Sequence, residues 1–295
     1  MNSAESDILV FDRAAVRQHR NRMATHFPLH DFLHAEVAER LRDRLEDVQR
    51  SFSSVLLIGG SGCEDVIFPR RPERLVTGDL ASRRIAEGAP AAVVLDEEAL
   101  PFAEESFDLV VSLMTLHWVN DLPGALIQIN RALKPDGLFL GVMLGAGTLD
   151  ELRSAWMKAE LEVHGGVSPR ISPFADIRSL GGLLQRAGFA LPVIDADTVT
   201  ATYADAIRLM RELRGMGEAN AQMGRARNFT RRDALFRTAE IYRDEFGDED
   251  GRIPASFELV TLTGWSPDAS QPKPLKPGSG KTSLAEVLGK KIGQD

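Results

Sequence analysis

Val55-Leu56-Leu57-Ile58-Gly59-Gly60-Ser61-Gly62-Cys63 is the stretch that decides the fold. An unbroken apolar run that ends in glycines reads as a strand buried on both faces, with its C-terminal end brought close to another chain segment or a ligand. The pattern recurs further on: Arg74-Leu75-Val76-Thr77 ends at Gly78-Asp79, Ala91 to Leu95 ends at Asp96, and Phe107 to Leu113 forms a further apolar run. Each of these is expected to be a buried parallel strand. Lys134-Pro135-Asp136-Gly137 then turns the chain into Leu138 to Leu144. Helical spacing over residues 31–50 and from Leu122 to Leu133 places helices between and before these strands. The alternation predicts an α/β, doubly wound, mostly parallel sheet.

Past residue 147, helices are expected near 149–163, 176–188, 204–214 and 231–246, and two late strands at Val193 to Tyr203 and Ile253 to Trp265. Gly165-Gly166-Val167-Ser168-Pro169-Arg170-Ile171-Ser172-Pro173-Phe174 is too rich in glycine and proline for regular structure and reads as a loop or lid. The organisation is therefore an N-terminal helical segment (1–50), a main domain (51–265) with a helical lid insertion at about 148–190, and a flexible Pro/Lys/Gly tail (266–295).

Composition narrows the function. The 295 residues carry 43 acids against 35 Lys and Arg, a formal charge of −8, the wrong sign for gripping nucleic acid through its phosphates. Arg13, Arg17, Arg20 and Arg22 are the best candidate for a local basic patch and are expected to be a solvated helix face. The longest weakly polar stretch, Gly137 to Leu149, is thirteen residues, short of the roughly 20 that a spanning helix needs. Glu5, Asp7 and Asp12 argue against a secretory or transit segment, so a cytoplasmic location is expected. The single cysteine, Cys63, excludes an internal disulfide and a cysteine-built metal cluster.

Ligands of open α/β sheets sit outside the carboxyl ends of the strands, so Gly59, Gly60, Ser61 and Gly62, then Asp79, then Asp96, should face one crevice. A carboxylate about 20 residues beyond the first glycine suits ribose hydroxyls, and Asp96 could accept from an adenine amino group. The pattern predicts a nucleoside-containing ligand. A nicotinamide dinucleotide lacks its third glycine here, because Asp65 stands in its place. Gly278-Ser279-Gly280-Lys281-Thr282 imitates a phosphate loop, with Leu275 where the first glycine belongs. His26, His30 and His34 stand at i, i+4, i+8, but Pro28 interrupts the helix, and no metal is expected. His117, after the fourth strand, has the chemistry of a general base and Trp118 beside it that of a pocket wall; the alternative is that His117 hydrogen-bonds a loop and Trp118 packs.

These motifs, with Leu133-Lys134-Pro135-Asp136-Gly137, resemble the consecutive motifs of class I S-adenosylmethionine-dependent methyltransferases over about residues 50–145. Phe11-Asp12-Arg13, His117 to Pro123, the Gly165 to Phe174 loop, Arg186-Ala187-Gly188-Phe189 and Gly215-Met216-Gly217-Glu218 resemble one branch, the methyltransferase-fold assembly factors of respiratory complex I described as protein arginine hydroxylases. The resemblance implies a seven-stranded sheet. It implies S-adenosyl-L-methionine at Gly59, Gly60, Ser61, Gly62, Asp79, Leu80, Asp96, Glu97 and Ser112, and a substrate pocket at His117, Trp118, Ser168 and Phe174, with His117 catalytic. It further implies a protein substrate, an iron-sulfur subunit of NADH:quinone oxidoreductase, and a place beside the inner membrane through that partner. Departures occur at Leu57, where the family carries an acid, and at Ser61 and Cys63, where it carries glycines. Methyl transfer to a small or carrier-bound carboxylate, and a non-catalytic assembly chaperone, are the alternative readings.

Overall fold

The computed structural model describes residues 9–60, 62–85 and 91–272. Its strands are β1 (Ser54–Ile58), β2 (Arg74–Asp79), β3 (Ala92–Val94), β4 (Phe107–Leu113), β5 (Leu133–Leu144), β6 (Ala190–Tyr203) and β7 (Ile253–Trp265). They form one seven-stranded sheet in the order β3-β2-β1-β4-β5-β7-β6. Strands β1 to β5 pair in parallel, and β7 runs antiparallel to both β5 and β6. All residues of β1 are buried, as an unbroken apolar run requires. Successive side chains point to opposite faces: Val55 and Leu57 enter one core, Leu56 and Ile58 the other.

Helices α1 (Arg13–Met23), α2 (Phe32–Glu46), α3 (Glu64–Ile67), α4 (Leu122–Ala132), α5 (Asp150–His164), α6 (Ile177–Arg186), α7 (Ala206–Met216) and α8 (Arg232–Phe246) cover the sheet. Residues of α2, α5, α7 and α8 fill the first core, and those of α4 and α6 the second. Leu33, Val37 and Leu41 of α2 are essentially inaccessible, each contributing on the order of 1.5–3 kcal/mol through burial. The segment 148–190 supplies Leu152, Ala155, Trp156 and Ala159 to the main core, so α5 is as much a structural layer as a cover.

The structure differs from the sequence reading at several points. The short strand β3 is partly exposed, not buried, because it forms the sheet's edge with β2 as its one neighbour. Lys134 to Gly137 lies inside β5, where Asp136 takes φ +60° and the register with β4 slips by an irregularity. The histidine ladder does not exist, because a tight turn at Phe27–Leu29 has His26 and His30 at its two ends and α2 starts only at Phe32. No helix among the described residues is long and apolar enough to cross a membrane. Ser61, the Gly278 to Thr282 imitation and the tail from residue 273 lie outside the described residues.

Candidate functional site at the strand ends

The carboxyl ends of β1, β2 and β4 converge where the sheet order switches between β1 and β4. Gly59 has φ +76°, and a Cβ there would lie 2.2 Å from Thr115 and 2.4 Å from the Leu113 carbonyl oxygen. Its glycine is thus required by β4 packing. Gly62 has φ +92° with nothing within 4 Å of a built Cβ, so its backbone faces open space. Cys63 sits at φ −107°, outside the left-handed region, so a side chain in place of the family's glycine brings no backbone strain there. Leu57 is wholly buried, and a Cβ on Gly60 would lie 2.7 Å from its Cδ1. This leucine supports the glycine turn from beneath as a core residue.

Asp79 closes β2 with no exposed surface. Its Oδ1 accepts the Ala81 N–H at 2.7 Å, whereas its Oδ2 is buried without a hydrogen-bond partner. Leu80 packs with Phe11, Val16 and Trp118 in a small separate cluster. Ser112, buried at the end of β4, exchanges a hydrogen bond with Thr115 at 3.0 Å. Arg84 stacks over Phe27 with its guanidinium carbon 3.3 Å from the ring centroid. Burial pulls its pKa down to about 10 against the opposing charge of Asp79.

Helix α1 lies across these strand ends. Asp12 caps it by accepting the Ala15 N–H at 3.0 Å, and Arg13 and Arg20, two turns apart, face one side. Arg13 donates to Asp96 at 2.7 Å, to the buried Glu97, and to the Trp118 carbonyl at 3.3 Å. Arg20, 4% exposed, donates to the Met114 carbonyl at 2.8 Å and pairs with Glu218 at 3.3 Å. The expectation of a solvated arginine face is therefore corrected for these two residues: buried carboxylates draw them inward, while Arg17 stays exposed.

Glu218 organises the rest. Helix α7 ends at Gly217, φ +87°, where a Cβ would approach Arg20 Cγ to 3.1 Å, and a Cβ on Gly215 would strike the His30 ring at 2.3 Å. The two glycines let the chain descend against α1 and deliver the carboxylate. Its Oε2 accepts from Trp118 Nε1 at 2.7 Å and bonds His117 Nε2 at 3.0 Å. Burial opposes the charge of Glu218, but His117 and Arg20 outweigh it and hold its pKa at about 2. An ionised carboxylate only accepts, so His117 Nε2 carries the hydrogen, and His117 Nδ1 is buried with no partner. His34, also buried, is held well below its ordinary range by desolvation and by Arg84.

A cavity of about 480 Å³ opens on the other side of Trp118 and Glu218. Leu33, Trp156, Phe174, Met210 and Phe257 supply its walls, and Arg170, Arg214, Arg225 and Arg227 its cations. Phe174 meets His117 edge to face with centroids 5.8 Å apart. Ser168 turns elsewhere: its N–H and hydroxyl both donate to Glu160 at 2.7 Å, which fixes the loop. Arg13, Arg20 and Glu218 belong to the site although the sequence reading did not place them there. The readable signal was the Gly-Met-Gly-Glu bracket at 215–218 and the seven-residue spacing of the arginines.

A conserved-domain comparison matches a methyltransferase domain to residues 59–141. The fold agrees with a putative methyltransferase from Bacillus halodurans (TM-score 0.51, 18% identity, 77% of this chain and 99% of that one). It agrees equally with the YcgJ protein from Bacillus subtilis (TM-score 0.53, 17% identity, 77% and 98%). Fold and strand-end site together define a class I methyltransferase-fold protein. The arginine-hydroxylase NDUFAF5, mitochondrial, of Danio rerio is 40% identical over 99% of this chain and 93% of its own length. The Homo sapiens protein of that name is 40% identical over 94% and 83%. Malonyl-[acyl-carrier protein] O-methyltransferase of Halorhodospira halophila is 34% identical over 88% and 90%. The chain belongs to the arginine-hydroxylase NDUFAF5 family within the methyltransferase fold.

Proposed function

We propose that this protein is a methyltransferase-fold enzyme that binds S-adenosyl-L-methionine at the strand ends and modifies an arginine of a protein partner. In this reading the partner is an iron-sulfur subunit of NADH:quinone oxidoreductase, and the modification is hydroxylation during assembly of that complex, an arginine C–H becoming C–OH at the expense of an oxidant such as dioxygen with two reducing equivalents, supplied from outside the chain. The observation that carries it is the 40% identity to a protein named arginine-hydroxylase along 99% of this chain. That likeness extends well beyond the matched methyltransferase domain, to the α1, 165–174 and 215–218 segments that build the site.

The residues present fit the cofactor. Asp79 Oδ2 is a buried acceptor without a donor, the role a ribose hydroxyl fills, and Gly62 leaves its approach open. Gly59, Gly60, Ser61, Leu80 and Ser112 would line the same crevice, with Asp96 and Glu97 at the adenine side. When bound, the cofactor supplies a sulfonium centre. The chain's own part is to hold and desolvate: Trp118 and Phe174 exclude water, and Glu218 fixes the ring of His117 through Nε2, which leaves Nδ1 as the ring atom that can exchange a proton. Among the described residues no cluster of three or more His, Cys, Asp or Glu side chains converges to hold a metal ion.

Methyl transfer to a carboxylate is the second reading, favoured by the arginines lining the cavity. Mass spectrometry of the partner subunit from cells with and without this gene separates the readings. A gene-dependent gain of one oxygen on an arginine peptide supports hydroxylation, and a gain of one methylene on it supports methyl transfer to the protein. No gene-dependent change overturns modification of this partner and leaves a carrier-bound carboxylate or the chaperone role.

A further inference from the structure

The cavity carries more positive charge than the ion pairs among the described residues take up. The protein as a whole is acidic, 43 acids to 35 Lys and Arg, yet the ionisable residues lining this cavity are Arg170, Arg214, Arg225 and Arg227 against Glu218 alone. Most of these charges are accounted for. Arg170 pairs with Glu160 at 2.6 Å and stacks on Trp156 at 4.8 Å. Arg225 pairs with Asp12 at 2.8 Å and donates to the Gln222 carbonyl at 2.7 Å. Glu218 is held by Arg20, His117 and Trp118. Among the described residues Arg214 and Arg227 have no carboxylate within ion-pair distance. The mouth therefore keeps two guanidiniums outside any ion pair among the described residues, Arg227 feeling Asp12 only through the longer-range field of a carboxylate already paired with Arg225, above an apolar interior.

We propose that Arg214 and Arg227 form an anion subsite that reads an acidic side chain flanking the modified arginine of the substrate protein. The inference rests on the protein-substrate reading given above and deepens it. A guanidinium entering this cavity alone would meet net positive charge at the mouth. A peptide that brings an aspartate or glutamate beside its arginine neutralises that charge, and the carboxylate finds planar donors suited to it. A macromolecular occupant is favoured by Phe229, which stands 100% exposed two residues beyond Arg227 in the chain. Large apolar side chains left in water beside a cavity mark a contact surface.

The test is fluorescence anisotropy on the full chain, with labelled peptides centred on one arginine and flanked by aspartates, serines or lysines. The aspartate peptide should bind about tenfold more tightly than the serine peptide, a difference of ~1.4 kcal/mol, and the lysine peptide most weakly. The preference should shrink with added salt and vanish in the Arg214→Gln/Arg227→Gln double variant. Both side chains are exposed, so its melting temperature should match the wild type and show that folding is intact. Equal binding of all three peptides, or a preference that survives the double variant, overturns the anion subsite and leaves the protein-substrate reading standing. Failure of every peptide to bind, with a carrier-bound carboxylate binding instead, overturns both. An aspartate peptide whose central arginine is replaced by alanine should lose affinity; undiminished binding would also defeat the proposal.

Discussion

The strand-end crevice and the cavity under the Gly165 to Phe174 loop meet at Trp118 and Glu218, and they treat charge in opposite ways. In the crevice the arginines of α1 that turn inward are matched, Arg13 with Asp96 and Glu97, Arg20 with Glu218. In the cavity the walls are aromatic and aliphatic, and two arginines at the mouth stay unmatched. A matched buried ion holds segments in place, because losing either partner strands the other in a medium that solvates it poorly. An unmatched exposed ion costs the fold little and remains available to a ligand. The ion pairs of the crevice thus hold its walls rigid around the one free oxygen of Asp79, while the cavity leaves whole charges free at its mouth.

The sharpest way to break this comparison is to remove the shared carboxylate. Glu218→Ala strands Arg20 and leaves the Trp118 and His117 donors unsatisfied, so urea unfolding should show a loss of about 3–5 kcal/mol. Arg214→Gln in the cavity should change stability by less than about 0.5 kcal/mol. Comparable effects from the two variants would erase the distinction. Acid supplies the next test. Glu218 has its pKa lowered from 4.5 to about 2 in the folded protein, so its stabilisation is present above pH 4.5 and fades as pH falls towards 2. About 3 kcal/mol should be lost through that window. Asp12, Asp108 and Glu160 are also lowered and act in both proteins, so Glu218→Gln should show a shallower decline by that amount. Parallel acid curves would assign the pairing no energetic weight.

A smaller effect is expected at Trp118. Trp118→Phe keeps the edge-on contact with Phe11, 5.3 Å between centroids, but removes the Nε1–H donated to Glu218. A hydrogen bond to a charged group is worth about 1.5–3 kcal/mol, and differential calorimetry should find a loss within that range. No loss would mean that packing alone seats the indole. Last, Asp79→Asn retains an oxygen for the Ala81 N–H, so stability should hold while calorimetric titration shows S-adenosylmethionine bound about tenfold more weakly. Unchanged affinity would remove Asp79 from the cofactor site.

Which parts of this were legible in sequence follows from the range of the interactions. The β1 run and its glycines announce themselves because a central strand is buried on both faces and its turn is local. Ala91 to Leu95 looks the same in sequence, yet β3 is an edge strand with Val94 54% exposed, since apolar content does not say how many neighbours a strand has. Asp79 and Asp96 were readable from the rule that ligands gather at strand ends. Glu218 was not, because its partners lie 101 residues away at His117 and 198 at Arg20. The arginines of α1 misled for the same reason: helical spacing shows that Arg13 and Arg20 share a side, but only the fold shows which carboxylates wait there.

In the proposed function the two regions serve one reaction on a partner's arginine. Its most direct measurement is mass spectrometry of the iron-sulfur subunit from a strain lacking the gene, complemented with the wild type, with Asp79→Asn, or with the Arg214→Gln/Arg227→Gln variant. The wild type should add one oxygen to an arginine peptide, and each variant should lower its occupancy at equal protein level. Full occupancy with both variants, or no added oxygen even with the wild type, would contradict the proposed function.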